Sequence, residues 1–250
     1  MSDTTDDGFL GGRLRLLQPR QGYRAGVDPV LLAAAVTARG GESVLDAGCG
    51  VGTALFCLGH RVSGLDLVGI ERQEALAALA RENAARNGLA ARIVTADLLE
   101  LPADLRAQSF DHVITNPPFF DRTRGTRSDQ PGKEAGRGED VPLPEWIDAC
   151  IRRLAPKGRL TLVQHPARLP DVLSAIGQRL GDMVIQPIAP RAGRAASLVI
   201  VTGAKGRKAP PRLAFPMVLH DGATHERDGD DYAPLARAVL REGAALPLGD

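Results

Sequence analysis

Long apolar runs, paired cysteines and an excess of charge are all missing from this 250-residue chain. No stretch offers the roughly 20 apolar residues that a membrane helix needs, and residues 1–7 are acidic, so we expect no transmembrane helix and no secretory signal. Its three cysteines, Cys49, Cys57 and Cys150, lack the spacing of a zinc site or a disulfide framework. That usage favours a reducing, cytoplasmic location.

The net charge of +1 excludes a chain that is basic as a whole, although the charges are unevenly placed. Residues 11–27 contain four arginines and no acid, and residues 188–212 contain six basic residues and no acid. A near-neutral total can therefore hide a basic face, although solvated basic loops remain an alternative. Three histidines, His165, His220 and His225, do not cluster at metal-ligand spacing, and we predict no metal.

Strand-like apolar runs alternate with helix-like segments along the chain. This alternation predicts an α/β fold with a doubly wound, mostly parallel sheet, whose ligands bind beyond the carboxyl ends of the strands. We expect residues 1–8 to form a disordered tail. The predicted strands are 43–47, 67–71, 91–95, 110–115 and 159–164, followed by a hairpin of 183–188 with 197–202 that adds an antiparallel strand. The predicted helices are 30–39, from 51 onward, 73–87, 146–154 and 169–180.

A glycine-rich turn, Asp46-Ala47-Gly48-Cys49-Gly50-Val51-Gly52, follows the first of these strands. Glycines at such a turn let the backbone bend tightly and approach a ligand closely. Glu71 ends the next strand, nineteen residues beyond Gly52, and an acid at about 20 residues is the ribose-hydroxyl acceptor in this architecture. Asp66 competes for that role but precedes the apolar run, so Glu71 is the better candidate.

The turn lacks the third-glycine spacing of nicotinamide-binding proteins and resembles motif I of S-adenosylmethionine-dependent methyltransferases. This resemblance implies S-adenosyl-L-methionine as the cofactor. Asp97 and Leu98, at the end of the third strand, match the position that contacts the cofactor's adenine, although Asp97 can instead cap the next turn. Cys49 is expected to be a small buried residue rather than a nucleophile. The turn residues implied to bind cofactor are Asp46, Gly48, Cys49, Gly50 and Gly52.

A second motif, Asn116-Pro117-Pro118-Phe119, follows the strand 110–115. An amine conjugated to an aromatic ring is a poor nucleophile, and two acceptors for its N–H bonds would aim its lone pair at a sulfonium methyl. The Asn116 carboxamide and the stiffened Pro117 carbonyl can supply them, and Pro118 keeps the backbone rigid. Phe119 offers a stacking face worth roughly 1–3 kcal/mol for a base. A proline turn with a buried phenylalanine is the alternative.

From about Leu14 to Leu246 the chain resembles the bacterial valine-tRNA adenine methyltransferase family. The likeness rests on 18–32, 46–52, 69–71, 116–119, 190–194 with 204–206, 219–221 and 232–246. It implies an N-terminal element, 1–40, that brings Tyr23 and Asp28 toward the cofactor, a Rossmann-like core, 41–203, and a C-terminal strand and helix, 204–250. The residues implied to bind substrate are Phe120, Arg24, Arg191, Arg194 and Lys205.

The leading hypothesis is an enzyme that methylates the exocyclic amine of adenine in RNA, specifically in tRNA near the anticodon, with the basic stretches holding phosphates. A methyltransferase for a protein glutamine amide or an rRNA guanine is the second hypothesis. A non-catalytic RNA-binding module on the same fold is the third. Residues 121–144, glycine-rich and directly after the acceptor motif, are expected to form a substrate-gripping lid. The sequence predicts no membrane partner and leaves the oligomeric state open.

Overall fold

A nine-stranded sheet forms the centre of the computed structural model, which describes residues 3–22, 24–117, 141–222 and 231–248. The strand order is β10-β8-β9-β7-β6-β3-β4-β5, with β11 also beside β8. The strands are β1 Thr4–Phe9, β2 Leu14–Pro19, β3 Ser43–Ala47, β4 Asp66–Glu71, β5 Ala91–Thr95, β6 Phe110–Thr115, β7 Leu154–Gln164, β8 Leu180–Arg191, β9 Leu198–Lys205, β10 Arg212–Leu213 and β11 Met217–His220. Of these, β1 and β2 form a separate hairpin.

Helices cover both faces of the sheet, which explains the continuous apolar runs of the central strands. Successive side chains of a strand point to opposite faces, so Val44 and Ile114 join one buried cluster while Leu45 and Val113 join the other. The helices are α1 Asp28–Ala34, α2 Thr53–Arg61, α3 Glu74–Arg86, α4 Ala103–Ala107, α5 Leu143–Arg153, α6 Leu169–Ile176 and α7 Pro234–Arg237, which continues as a π-helical turn, Ala238–Glu242.

The sheet confirms the predicted doubly wound α/β fold. Strands β3, β4, β5 and β6 pair in parallel, and β6 pairs in parallel with β7. The predicted terminal hairpin is present as β8 and β9, and β9 is antiparallel to both of its neighbours. Chain order reverses between β3 and β6, so the expected ligand position lies beyond the carboxyl ends of these two strands.

The expected disordered tail at residues 1–8 is wrong from Thr4 onward. Thr4–Phe9 forms β1, which pairs with β2 in an antiparallel hairpin. Phe9 and Leu14 are buried in the core, and Asp6 makes salt bridges with Arg15 (3.2 Å) and Arg86 (2.8 Å). Few apolar residues mark the segment in the sequence, because its order depends on pairing and on these distant charges.

Several predicted boundaries also move, among them those of α1, α6 and β7. Helix α1 ends at Ala34 rather than at residue 39, and α6 ends at Ile176 rather than at residue 180. Strand β7 begins at Leu154 rather than at residue 159, so Pro156, Lys157 and Gly158, which are typical of a turn, lie inside the strand. The register with β6 shifts there, and Lys157 has φ +67°. The bulge accommodates turn residues that would otherwise end a strand.

Candidate cofactor and acceptor site

The glycine turn connects β3 to α2 and is shaped by positive backbone angles. Gly48, Gly50 and Gly52 have φ of +75°, +56° and +89°, a region that other residues adopt at an energetic cost. The amides of Gly48 and Cys49 both donate to the Ile70 carbonyl at 2.9 Å, which fastens the turn to β4. A Cβ atom on Gly50 would meet nothing within 4 Å, so the turn faces open space there.

Glu71 ends β4 beside this turn. Glu71 is only 7% exposed. Its two carboxylate oxygens accept hydrogen bonds from the backbone amides of Gly50 (3.0 Å) and Gln73 (2.8 Å). The competing acid, Asp66, begins β4 and therefore lies at the opposite end of the strand. The geometry thus favours Glu71 over Asp66 as the acid next to the glycine turn, and its ribose-binding role stays a prediction.

Asp46 lies under the turn and is 3% exposed. The pKa of its carboxyl is raised to about 7, mainly by burial; a hydrogen bond from the Leu55 backbone amide lowers this pKa in part, and the nearby charge of Glu71 contributes to raising it. Asp46 therefore exchanges its proton near neutral pH. A cationic ligand close to this carboxyl would favour its ionised form.

Cys49 is buried, and its surroundings hold the thiol in its neutral form. Burial is the largest cause that raises the pKa of Cys49, followed by the charges of Asp46 and Glu71. A neutral thiol is a weak nucleophile. A Cβ atom on Gly69 would come within 2.8 Å of the Cys49 sulfur, so Cys49 fills space against β4. The expectation of a small packing residue agrees with these contacts.

Asp97 and Leu98 follow β5, the strand next to β4. The Asp97 side chain accepts a hydrogen bond from the Leu99 amide (2.8 Å), which is the turn-capping contact named as the alternative role. The amide of Ala96 donates to the Glu71 carbonyl at 3.0 Å, so the segment also lies beside the end of β4. Capping and a cofactor contact are compatible, because a carboxylate has further acceptor sites.

The acceptor motif emerges directly beside the glycine turn. Ala47 and Thr115 are register partners at the ends of β3 and β6, and the Thr115 hydroxyl donates to the Ala47 carbonyl at 2.8 Å. Asn116, half-buried, and Pro117, buried, follow Thr115, just as Gly48 follows Ala47. Neighbouring strands lie about 4.8 Å apart, so the two loops begin as immediate neighbours. The next three predicted site residues, Pro118, Phe119 and Phe120, lie outside the described residues, as do residues 121–140 of the expected lid.

Trp146, the single tryptophan of the chain, contacts both loops and was missed by the sequence prediction. Its indole N–H donates to the Thr115 hydroxyl at 2.9 Å. Its ring lies so close to Gly48 that a Cβ atom there would be 2.9 Å from the nearest ring carbon. No motif surrounds Trp146, and the only signal in the sequence is a lone tryptophan on a helix after a long loop.

Asn83 is a second residue that sequence reasoning missed. It is fully buried on α3, and its side-chain amide donates to the carbonyls of Leu17 (3.0 Å) and Val51 (3.1 Å). Its side-chain oxygen accepts from the Leu17 amide at 2.7 Å. Asn83 therefore joins the N-terminal hairpin to the glycine turn.

The predicted N-terminal site residues lie between this hairpin and α1. Arg24 donates to the Asp7 carboxylate (2.6 Å) and to the Thr5 hydroxyl (2.8 Å), so it braces the hairpin. Asp28 begins α1, and burial raises the pKa of its carboxyl. Tyr23 lies outside the described residues.

Besides Arg24, the three other basic residues predicted to bind substrate differ in exposure. The Arg191 side chain is 14% exposed and pairs with Asp231 at 2.6 Å. The Lys205 ammonium donates to the carbonyls of Ile151 (3.1 Å) and Leu154 (2.8 Å). Only Arg194, between β8 and β9, is exposed. Arg191 and Lys205 thus have structural contacts, and substrate binding by all three stays a prediction.

The site is suited to an uncharged sugar and a small cationic group rather than to a pyrophosphate. Glu71 and Asp46 place two carboxyl groups at the glycine turn, which disfavours phosphate and favours a cation or hydroxyl donors. Among the residues that the structure describes, no cluster of three His, Cys, Asp or Glu side chains is placed to hold a metal ion. In the same parts of the chain, no helix has the length and apolarity to cross a bilayer.

The fold is that of the Rossmann-like methyltransferases. Residues 26–180 match the family model described as the methyltransferase small domain, and the chain belongs to that family. A predicted O-methyltransferase from Agrobacterium tumefaciens has the same fold, with a TM-score of 0.70 at 24% identity over 88% of this chain and 98% of that chain.

Curated relatives carry the name tRNA1(Val) (adenine(37)-N6)-methyltransferase, which confirms the family resemblance seen in the sequence. Two strains of Porphyromonas gingivalis have relatives that are 34% identical, over 60% and 66% of this chain and 61% and 68% of their own lengths. A relative from Aeromonas hydrophila is 26% identical over 80% of this chain and 85% of its own. The first of these matches thus spans about three fifths of its relative.

Proposed function

We propose that this protein transfers a methyl group from S-adenosylmethionine to the exocyclic amine of an adenine in tRNA, near the anticodon. The observation that carries the proposal is the adjacency of the glycine turn and the Asn-Pro motif. Ala47 and Thr115 are hydrogen-bonded neighbours at the ends of β3 and β6, so a donor at one loop faces an acceptor at the other. The relatives' name supports adenine in tRNA as the acceptor.

The cofactor's residues are those that surround the glycine turn. The open space at Gly50 gives room for the methionine part, Glu71 accepts the ribose hydroxyls, and Asp97 with Leu98 borders the adenine. The bound cofactor supplies an electrophilic methyl group on a sulfonium. Because that methyl group is already activated, the protein's task is to orient the two reactants.

Orientation of the amine falls to Asn116 and Pro117. The amine's lone pair is delocalised into the adenine ring, and hydrogen bonds from its two N–H groups to the Asn116 carboxamide and the Pro117 carbonyl turn the lone pair toward the donor. Both residues are shielded from water, Asn116 partly and Pro117 fully, which strengthens these hydrogen bonds. After transfer the ammonium product loses a proton to solvent, so no residue with a shifted pKa is needed.

The adenine must leave its stack to reach this buried site. Unstacking requires a few kcal/mol, and less in a loop than in a duplex, so an anticodon loop is a favourable substrate. The basic residues outside the site supply the attraction for phosphates, since six of them occur between residues 188 and 212 without an acid.

Incubation of the protein with labelled S-adenosylmethionine and deproteinised tRNA, followed by digestion to nucleosides, tests the proposal. We expect the label in N6-methyladenosine. The matched variant is Asn116→Ala, which removes one N–H acceptor and should slow transfer about 100-fold or more, since misplaced reactants lose that much. Cofactor affinity measured by calorimetry should change little. Label in protein or in guanosine, or transfer unaffected by Asn116→Ala, would contradict the proposal.

A further inference from the structure

The outer edge of the sheet carries an exposed aromatic and aliphatic pair. Phe215 is 89% exposed and Leu213 is 74% exposed, the highest values among large apolar side chains of the described residues. They belong to residues 206–216, here called the edge segment, which contains Arg207, Lys208 and Arg212 and no acid. An exposed apolar pair surrounded by cations is a feature that needs an explanation.

The backbone of the edge segment is held in place. The buried Gln186 side chain donates to the Phe215 carbonyl at 2.8 Å, and the Ala214 amide donates to the Ile185 carbonyl at 2.9 Å. At the other end, the Ala209 carbonyl accepts from the Asp182 amide at 3.0 Å. Phe215 is thus presented from a fixed strand edge, which reduces the entropy lost when a partner binds.

Strand register places Leu213 and Phe215, near the end of the edge segment, level with the acceptor site. One continuous row of register partners crosses the sheet through Ala47, Thr115, Leu162, Val201, Ile185 and Leu213. Phe215 follows Leu213 by two residues, just as Pro117 follows Thr115. Four strand spacings of about 4.8 Å separate β6 from β10, so Phe215 lies about 19 Å along the sheet from the Asn-Pro motif.

This edge also lies on the acceptor's side of the sheet. The cofactor loops follow β3, β4 and β5, whereas β7, β9, β8 and β10 extend beyond β6 in the other direction. A polymeric substrate with one base at Asn116 can therefore run toward Phe215 without crossing the cofactor loops.

One alternative explanation of this segment is that it protects an exposed sheet edge from pairing with another strand, since short edge strands, prolines and cations all hinder such pairing. It accounts for the basic residues but not for Phe215 and Leu213, whose exposed side chains favour association. A two-fold dimer through this surface would bring Arg207, Lys208 and Arg212 against the same cations of the second copy. A polyanion with flat bases fits both the charge and the aromatic ring.

We propose that the edge segment is an RNA-docking surface, in which Phe215 stacks on a base and the neighbouring cations hold phosphates. This inference rests on the proposed function. Stacked nucleotides rise roughly 3.4 Å each, so 19 Å corresponds to about five or six nucleotides between the base on Phe215 and the methylated adenine.

Substitutions of Phe215 test the surface, with tRNA affinity, KM and kcat as readouts. We expect Phe215→Ser to raise both the RNA Kd and KM about 5- to 100-fold, the range of a lost base stack, with kcat at saturating RNA unchanged. Phe215→Trp should restore binding, whereas Phe215→Leu should not, because leucine keeps the apolar area but has no aromatic face. Rescue by leucine would overturn stacking.

Charge variants provide the second arm. The double variant Arg207→Ala, Lys208→Ala should reduce the slope of log Kd against log salt concentration by about 0.7–0.9 for each cation removed. The matched control, Arg39→Ala, removes one exposed charge before β3, a central strand that four other strands separate from β10, and should leave the slope unchanged. Equal effects of both changes would mean that only overall charge matters, which would contradict the surface.

RNA length separates this inference from the proposed function. An RNA with one nucleotide on each side of the target adenine cannot span 19 Å, even when its backbone is extended to about twice the stacked rise of roughly 3.4 Å per nucleotide, so Phe215→Ser should not affect its KM. Methylation of tRNA by the wild type with KM unaltered in Phe215→Ser would overturn the surface and leave the function standing. A wild type that methylates no RNA would overturn the function instead, and the binding measurements would still decide the surface. If Phe215→Ser converted a dimer to a monomer and left RNA affinity unchanged, the RNA-docking surface would also be overturned.

Discussion

Replacement of Trp146 by phenylalanine should slow methyl transfer while cofactor affinity is retained. The indole of Trp146 donates to Thr115 at 2.9 Å and its ring lies against Gly48, so it is in contact with both loops of the site. Phenylalanine keeps an aromatic ring beside Gly48 but has no donor for Thr115. The substitution therefore separates the hydrogen bond from most of the packing.

The expected magnitudes follow from one lost hydrogen bond. Thr115 keeps its own bond to the Ala47 carbonyl, so Trp146→Phe should destabilise the fold by about 0.5–1.5 kcal/mol. For a protein of this size that corresponds to a Tm lowered by about 2–4 °C per kcal/mol. A displacement of Asn116 by about 1 Å can lower the rate 100-fold, so we expect kcat reduced about 10- to 100-fold and the cofactor Kd changed less than threefold.

A double-mutant cycle with Thr115→Val provides the decisive assay. Both variants remove the same hydrogen bond, so their effects on kcat should be non-additive, with a coupling of about 1 kcal/mol. Thr115→Ser, which retains the hydroxyl, is the matched control and should keep most of the activity. Because Trp146 is the single tryptophan, its fluorescence should also change when cofactor binds. Additive effects on kcat, or an equal loss of cofactor affinity and kcat, would refute this reasoning.

Three further outcomes follow from the donor side. Glu71→Ala should weaken cofactor binding about 10- to 100-fold by calorimetry, since hydrogen bonds to a charged group contribute roughly 1.5–3 kcal/mol. Asp66→Ala, at the other end of β4, should leave cofactor affinity unchanged. Equal losses in the two variants would contradict the assignment of Glu71. The pKa of Asp46 is raised to about 7, so the stability that its protonated carboxyl contributes is complete below about pH 4 and is lost as the pH rises toward 7. Asp46→Asn should abolish this pH-dependent loss, measured by urea unfolding between about pH 4 and 7. A pH profile unchanged by the substitution would contradict the raised pKa. Gly52→Ala should lower the Tm and slow methyl transfer, because residue 52 has φ +89° and its new Cβ would lie 2.1 Å from the Phe56 ring. An unchanged Tm would contradict this expectation.

The sequence predicted the alternating strands and helices because each has a strong local pattern. The bounds of β3, β5 and β6 agree with the predicted ones, as apolar runs there end at glycine, proline or polar residues. The N-terminal hairpin escaped prediction because its stability comes from partners far along the chain, such as Arg86 for Asp6. Local pattern carries no information about such distant pairing.

In the candidate site, too, the features with a local sequence pattern could be predicted and those that depend on distant contacts could not. The glycine turn, Glu71 and Asn116 are recognisable from residue type and spacing. That β3 and β6 are neighbours depends on the order of strands in the sheet, which chain order alone does not fix. Trp146 and Asn83 could not be predicted, because their roles consist of tertiary contacts with segments distant in the sequence.

A crystal structure of the protein with S-adenosylhomocysteine and adenosine tests the central claim most directly. We expect the adenine amine within about 2.6–3.2 Å of the Asn116 carboxamide oxygen, on the side that faces the cofactor sulfur at the glycine turn. An amine bound away from Asn116, or a sulfur turned away from it, would contradict the account.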